Sequence, residues 1–119
     1  MFINFKHLQQ SFGHAFKGLF YVWRVEQNFR LQVTAAIVIV IVGLVLKIDA
    51  LEFALLILVT LIVLVLELLN TIFEHLLDIV KPRLHSYVKI MKDIMAAAVL
   101  ISSIAAIIVG VLIFLPHLL

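Results

Sequence analysis

No cysteine occurs in the sequence, which excludes disulfides, thiolate metal ligands and a cysteine nucleophile. Charge is almost as scarce. Asp, Glu, Lys and Arg together make 13% of the 119 residues, against 66% hydrophobic residues and a mean hydropathy of +1.28. A soluble domain of this size needs far more polar residues to cover its surface, so the one soluble alternative is a bundle apolar all round. No glycine-rich P-loop and no Gly-x-Gly-x-x-Gly is present, so any nucleotide site has to be built from helix side chains. Basic residues are not interleaved with aromatics in a way that points to nucleic acid, and no internal repeat or low-complexity linker divides residues 1–119. A single domain suffices. The first apolar run follows about thirty residues of mixed polarity, and no signal peptide is expected.

Long apolar runs are what the chain does have. Leu31–Leu46, Phe53–Leu66 and Ile94–Leu115 carry no formal charge, over 16, 14 and 22 residues. The last alone can cross a bilayer core of about 30 Å. The first two become long enough if Arg30 and Lys47 snorkel and the second takes in Leu68 and Leu69. The expectation is an all-α integral membrane protein with spans over about 31–48, 51–72 and 92–115. Pro82 should end the second helix shortly before it, and the third helix should begin near His85 or Ser86.

The charges are unevenly placed. Lys6, Lys17, Arg24 and Arg30 precede the first span, Lys81, Arg83, Lys89 and Lys92 lie between the second and third, and only Lys47 lies between the first and second. Eight of the nine basic residues thus share one side, which the positive-inside rule makes cytoplasmic. Such a face suits anionic lipid, ATP or both. Ahead of the spans, residues 4–28 read as an amphipathic helix. Phe5, Leu8, Phe12, Phe16, Leu19 and Trp23 form one face, and Gln10, His14, Lys17, Tyr21, Arg24 and Asn28 another. That helix would lie in the bilayer interface, either as an anchor alone or as part of a site.

The most informative residues are Glu67, Asn70, Glu74 and Asp78. At about 100° per residue they fall near 0°, 300°, 340° and 20°, one narrow stripe of one helix. Polar groups at the end of a span are costly to keep idle. Depth sorts them. Glu67 and Asn70 reach the level of the lipid headgroups, while Glu74 lies about 10 Å and Asp78 about 16 Å further along the axis, in water. A partly desolvated Glu67 suits a general base acting on a lipid hydroxyl. Glu74 suits a hard cation such as magnesium, which takes carboxylates and substrate phosphates. Glu26 could complete that site, or simply pair with Arg30 four residues on. Lys92 and Asp93 either anchor the third span or hold phosphate and a polar partner.

Glu67-Leu-Leu-Asn-Thr-Ile-Phe-Glu74, followed by Asp78, His85 and Lys92-Asp93, resembles the prokaryotic diacylglycerol kinase family. Phe16-Lys-Gly-Leu19 and Glu26-x-Asn-x-Arg30 fit the same pattern, and the likeness runs from about Ser11 to Pro116. Glu26-x-Asn28, Pro82 before His85, and the ending Ile113-Phe-Leu-Pro116 look more like the Gram-positive, undecaprenol kinase branch. The resemblance implies a homotrimer of three spans and a surface helix per chain, with sites shared between neighbours on the cytoplasmic side of a bacterial plasma membrane. It implies that Glu67 accepts the proton, that Asn70 supports the site, and that Glu26 and Glu74 hold magnesium. It places Lys92, Asp93 and the segment Arg83, Leu84 and His85 against ATP, with His14, Lys17 and Asp78 at nucleotide-contacting positions. Gln32 stands where relatives often carry His or Glu.

These expectations combine into an ATP- and magnesium-dependent lipid kinase, with undecaprenol as first choice of acceptor and diacylglycerol as the alternative. A proton or cation translocator would instead need Glu67 deep within a span and no use for Glu26, Lys92 or Asp93. A small structural subunit would leave the stripe unexplained.

Overall fold

Four helices make up the described chain, residues 2–81 and 85–119 of a computed structural model, with the His85 side chain outside that description. They are α1 (Phe5–Val25), α2 (Gln27–Leu46), α3 (Ala50–Val80) and α4 (His85–Leu118). Three of them, taken as Gln27–Leu46, Ala50–Val80 and Ser86–Leu118, are long and apolar enough to cross a membrane. Only 11%, 17% and 6% of the residues in their apolar windows are buried within the chain, so most of that surface has to be covered by lipid or protein.

The sequence pattern ran the first helix to residue 28, but the helix stops at Val25 and the backbone is extended at Glu26 (φ −114°, ψ 109°). Arg30 supplies the reason. Its Nη1 donates to the carbonyls of Trp23 (2.7 Å) and Arg24 (3.0 Å), two of the acceptors a helix end leaves open. Glu26 alone therefore separates α1 from α2, and its side chain makes no cap hydrogen bond to α2.

Between α2 and α3, Lys47 takes the left-handed conformation (φ 56°, ψ 46°), and its N–H reaches the carbonyls of Gly43 and Leu44. Asp49 then caps α3 in a reciprocal box. Its carboxylate accepts from Glu52 N–H at 2.8 Å, and Glu52 accepts from Asp49 N–H at 3.1 Å. Ile48, Leu56 and Ile113 form the core beside this turn, joined by Ile39, Leu46, Phe53, Val109 and Phe114. Gly43 lets the turn close, because a Cβ there would stand 3.0 Å from both Ile48 Cδ1 and Phe53 Cε1.

At its other end α3 stops at Val80, and Lys81 is extended (φ −69°, ψ 140°), the backbone that a following proline favours. α3 packs on both α2 and α4 and carries the polar stripe along its second half.

Candidate active site

Because α3 is continuous from Ala50 to Val80, the stripe keeps its helical register. Burial falls along it step by step. Glu67 is 1% exposed and Asn70 9%, whereas Glu74 is half-buried and Asp78 exposed. Thr71, 3% exposed, completes the inner turn, and its hydroxyl donates to the Glu67 carbonyl at 3.0 Å. Asn70 Nδ2 donates to Glu74 Oε1 at 3.3 Å, so the amide orients one oxygen of that carboxylate. Glu67 Oε1 is buried with no hydrogen-bond partner among the described residues. An unpartnered buried carboxylate oxygen is unfavourable by kilocalories and is tolerated where it has a use.

Glu26 approaches from the α1–α2 break. Burial, and then the charge of Glu74, raises its carboxyl above the ordinary value of 4.5, against the opposing pull of His75 and Arg30. Among the described residues Lys92 pairs with Asp78 and His117 Nε2 lies 3.1 Å from Glu52, so Glu26 has no salt-bridge partner there. Arg30, the partner expected from sequence spacing, is engaged by the end of α1 instead. Glu26 thus feels the negative charge of Glu74 and has no ion-pair partner among the described residues, a pair of carboxylates whose chemistry suits a divalent metal. No three metal-ligating side chains converge among the described residues, so such a metal would draw its remaining oxygens from substrate and water.

Lys92, seven residues into α4, reaches back to Asp78 at 2.8 Å and ties α4 to the exposed end of the stripe. Asp93, His14 and Lys17 are exposed. His14 and Lys17 share a helical flank with Tyr21, at about 10 and 6 Å along the axis from it. Arg83 and Leu84 lie outside the described residues, as does any contact by the His85 side chain.

Sequence reasoning assigned nothing to His75, yet it joins α1 to α3. Its Nε2 meets the Tyr21 hydroxyl at 2.8 Å and its Nδ1 the Thr71 carbonyl at 2.8 Å. A carbonyl can only accept, so Nδ1 carries the proton and Tyr21 donates to Nε2 when the imidazole is neutral. The available signal was positional, since Tyr21 lies on the polar face of α1 and His75 adjoins Glu74.

Comparison with known proteins places the chain as a whole. The chain matches the family described as prokaryotic diacylglycerol kinase over residues 13–114. A diacylglycerol kinase from Synechocystis sp. is 38% identical over 114 residues, covering 95% of this chain and 65% of the relative. An undecaprenol kinase from Bacillus subtilis is 36% identical over 109 residues, 92% of this chain and 89% of the relative. A diacylglycerol kinase from Escherichia coli K12 is 31% identical over 114 residues, with 96% and 93% covered. With three candidate spans, the class is that of a membrane lipid kinase. More particularly, the chain belongs to the prokaryotic diacylglycerol kinase family.

Proposed function

We propose that the chain transfers the γ-phosphoryl group of ATP to the hydroxyl of a membrane lipid alcohol, undecaprenol first and diacylglycerol as the alternative. The observation that carries this is Glu67, a buried carboxylate with an oxygen unpartnered among the described residues, on the same helical stripe as half-buried Glu74. The acceptor oxygen bonds to the γ-phosphorus as its proton passes to Glu67, and the bond from that phosphorus to the β,γ-bridging oxygen breaks to release ADP. Asn70 holds Glu74 in register with the base. Magnesium held by Glu26 and Glu74 would supply positive charge to the phosphate oxygens. Lys92 and Asp93, with His14, Lys17 and Asp78, are assigned to the nucleotide side. In the described arrangement Lys92 is paired with Asp78, so ATP would draw it from that partner or share it.

Beyond the single chain, we assign α1 to the bilayer interface, with exposed Phe5, Phe12 and Phe16 toward lipid. The large apolar area left open on the spans supports a homotrimer in the plasma membrane, the basic side and the site facing the cytoplasm. Undecaprenol is preferred on the sequence features shared with the Gram-positive branch.

The test is purified protein in detergent with magnesium, labelled ATP and each lipid alcohol in turn. Label should appear in undecaprenyl phosphate faster than in phosphatidic acid. The reverse order would exchange the two acceptors, and no labelled lipid at all would sink the kinase assignment for this chain.

A further inference from the structure

Gln32, in the second turn of α2, and Glu67, on α3, each bury a side-chain Oε1 that has no hydrogen-bond partner among the described residues. Few buried polar atoms in folded proteins go without a partner, so two on packed helices mark a place where a geometry is being held or a group awaited. Gln32 lines a groove of about 460 Å³ between α2, α3 and α4 together with Thr60 and Val63, and Val63 sits one helical turn before Glu67. The Gln32 carboxamide lies near the Glu67 carboxyl, and the two unpartnered oxygens belong to helices that pack on each other. Among the described residues it is also the one side chain lining that groove with N–H donors.

The terminal torsion of a glutamate is broad, so burial alone does not decide which oxygen of Glu67 meets a substrate. A donor on one oxygen would decide it. A lysine or arginine in that role would form an ion pair and weaken the carboxylate as a base, whereas a neutral amide orients without neutralising. The nearby cations are used elsewhere, Arg30 on the α1 carbonyls and Lys92 on Asp78.

We propose that Gln32 is a positioning residue for the base. Its Nε2–H donates to one oxygen of Glu67 and leaves Oε1 as the lone pair presented to the acceptor hydroxyl. The inference rests on the reading of Glu67 as the base. It is tested with Gln32→Leu, which removes the donor at similar volume, in the full-length protein in detergent. With the lipid alcohol saturating, kcat should fall about tenfold or more, the loss expected for a hydrogen bond to a charged group, while KM for ATP stays at the wild-type value. In a Glu67→Gln background the same change should alter the residual rate by less than about twofold, because no carboxylate remains to be held. An unchanged kcat, or an equal loss in both backgrounds, overturns the role of Gln32. If Gln32→Leu also loses ATP binding and so fails to fold, Gln32→Met, of similar length and without a donor, is read by the same criteria. A wild-type protein that phosphorylates no lipid alcohol overturns the base assignment itself, and the two failures are thereby distinguished.

Discussion

The two ends of α3 treat their carboxylates in opposite ways. At the amino-terminal end Asp49 and Glu52 exchange backbone hydrogen bonds, and Glu52 also meets His117 Nε2 at 3.1 Å. Both sit where the positive end of the helix dipole favours negative charge. Toward the carboxy-terminal end the dipole is unfavourable to Glu74 and Asp78. There Glu67 keeps an oxygen without a partner, Glu74 has only an amide from Asn70, and Glu26 has no ion pair among the described residues. The acidic groups that the turn satisfies, Asp49 and Glu52, hold the fold, whereas Glu26, Glu67 and Glu74 are left open in the way a ligand site requires; Asp78, paired with Lys92, stands between the two cases.

Glu67→Gln bears hardest on that comparison. The change keeps shape and removes the proton acceptor, so turnover should fall by about 10²–10⁴ while ATP still binds. Equilibrium nucleotide binding beside single-turnover kinetics checks it. Loss of ATP binding would move Glu67 from the lipid side to the metal side.

Glu74→Gln should act on the other half of the site. Loss of one carboxylate should raise the magnesium concentration for half-maximal nucleotide binding by about tenfold or more. The pH dependence follows from Glu26. Its carboxyl is raised above 4.5 by burial and then by the Glu74 charge, so it takes up a proton at a higher pH than an ordinary glutamate. Magnesium competes with that proton, so its affinity should fall as pH falls, and in the metal-free protein Glu74→Gln should move the Glu26 titration midpoint down toward 4.5. The linkage has the matching sign. A raised carboxyl favours the folded state below its unfolded value and loses that contribution as pH rises through the folded one. At neutral pH, Glu74→Gln should accordingly leave stability unchanged or slightly higher. A midpoint that stays fixed would separate Glu26 from Glu74.

How much of this was legible in the sequence depends on range. Charge-free runs gave three spans because a bilayer asks only for length and apolarity, and a regular helix preserved the stripe from Glu67 to Asp78. What escaped was whatever depends on a neighbour. Arg30 looked like a partner for Glu26 at i+4, yet an open helix end two residues from Glu26 offered it two carbonyls. Thr71 drew no reading from the sequence, since burial by other helices does not appear in helical spacing. His75 was passed over because its partner Tyr21 is 54 positions away.

Gly43→Val turns to the packed end and should cost stability alone. The added branched side chain would meet Ile48 and Phe53 in the core at the turn, where overpacking is worth about 1–3 kcal/mol. Unfolding in detergent should show the loss, with kcat and nucleotide binding at wild-type values in the folded fraction. A selective drop in kcat would show that the turn communicates with the stripe, and the two ends would no longer be independent.

Asp49→Ala has the smallest expected effect and makes the sharpest contrast with Glu74→Gln, since each removes one carboxylate from the ends of the same helix. Asp49 accepts from Glu52 N–H, so its loss leaves a first-turn donor without its cap and should destabilise by about 1 kcal/mol. Asp49→Asn, which can still accept that bond, should recover most of the loss. Neither change should alter turnover or magnesium dependence. The signs at the two ends are then opposed. Removing the satisfied carboxylate lowers stability and spares binding, and removing the open one lowers binding and spares stability. If Asp49→Ala instead left stability intact, the capping box would be idle, and hydrogen-bond satisfaction would no longer separate structural from functional carboxylates in this chain.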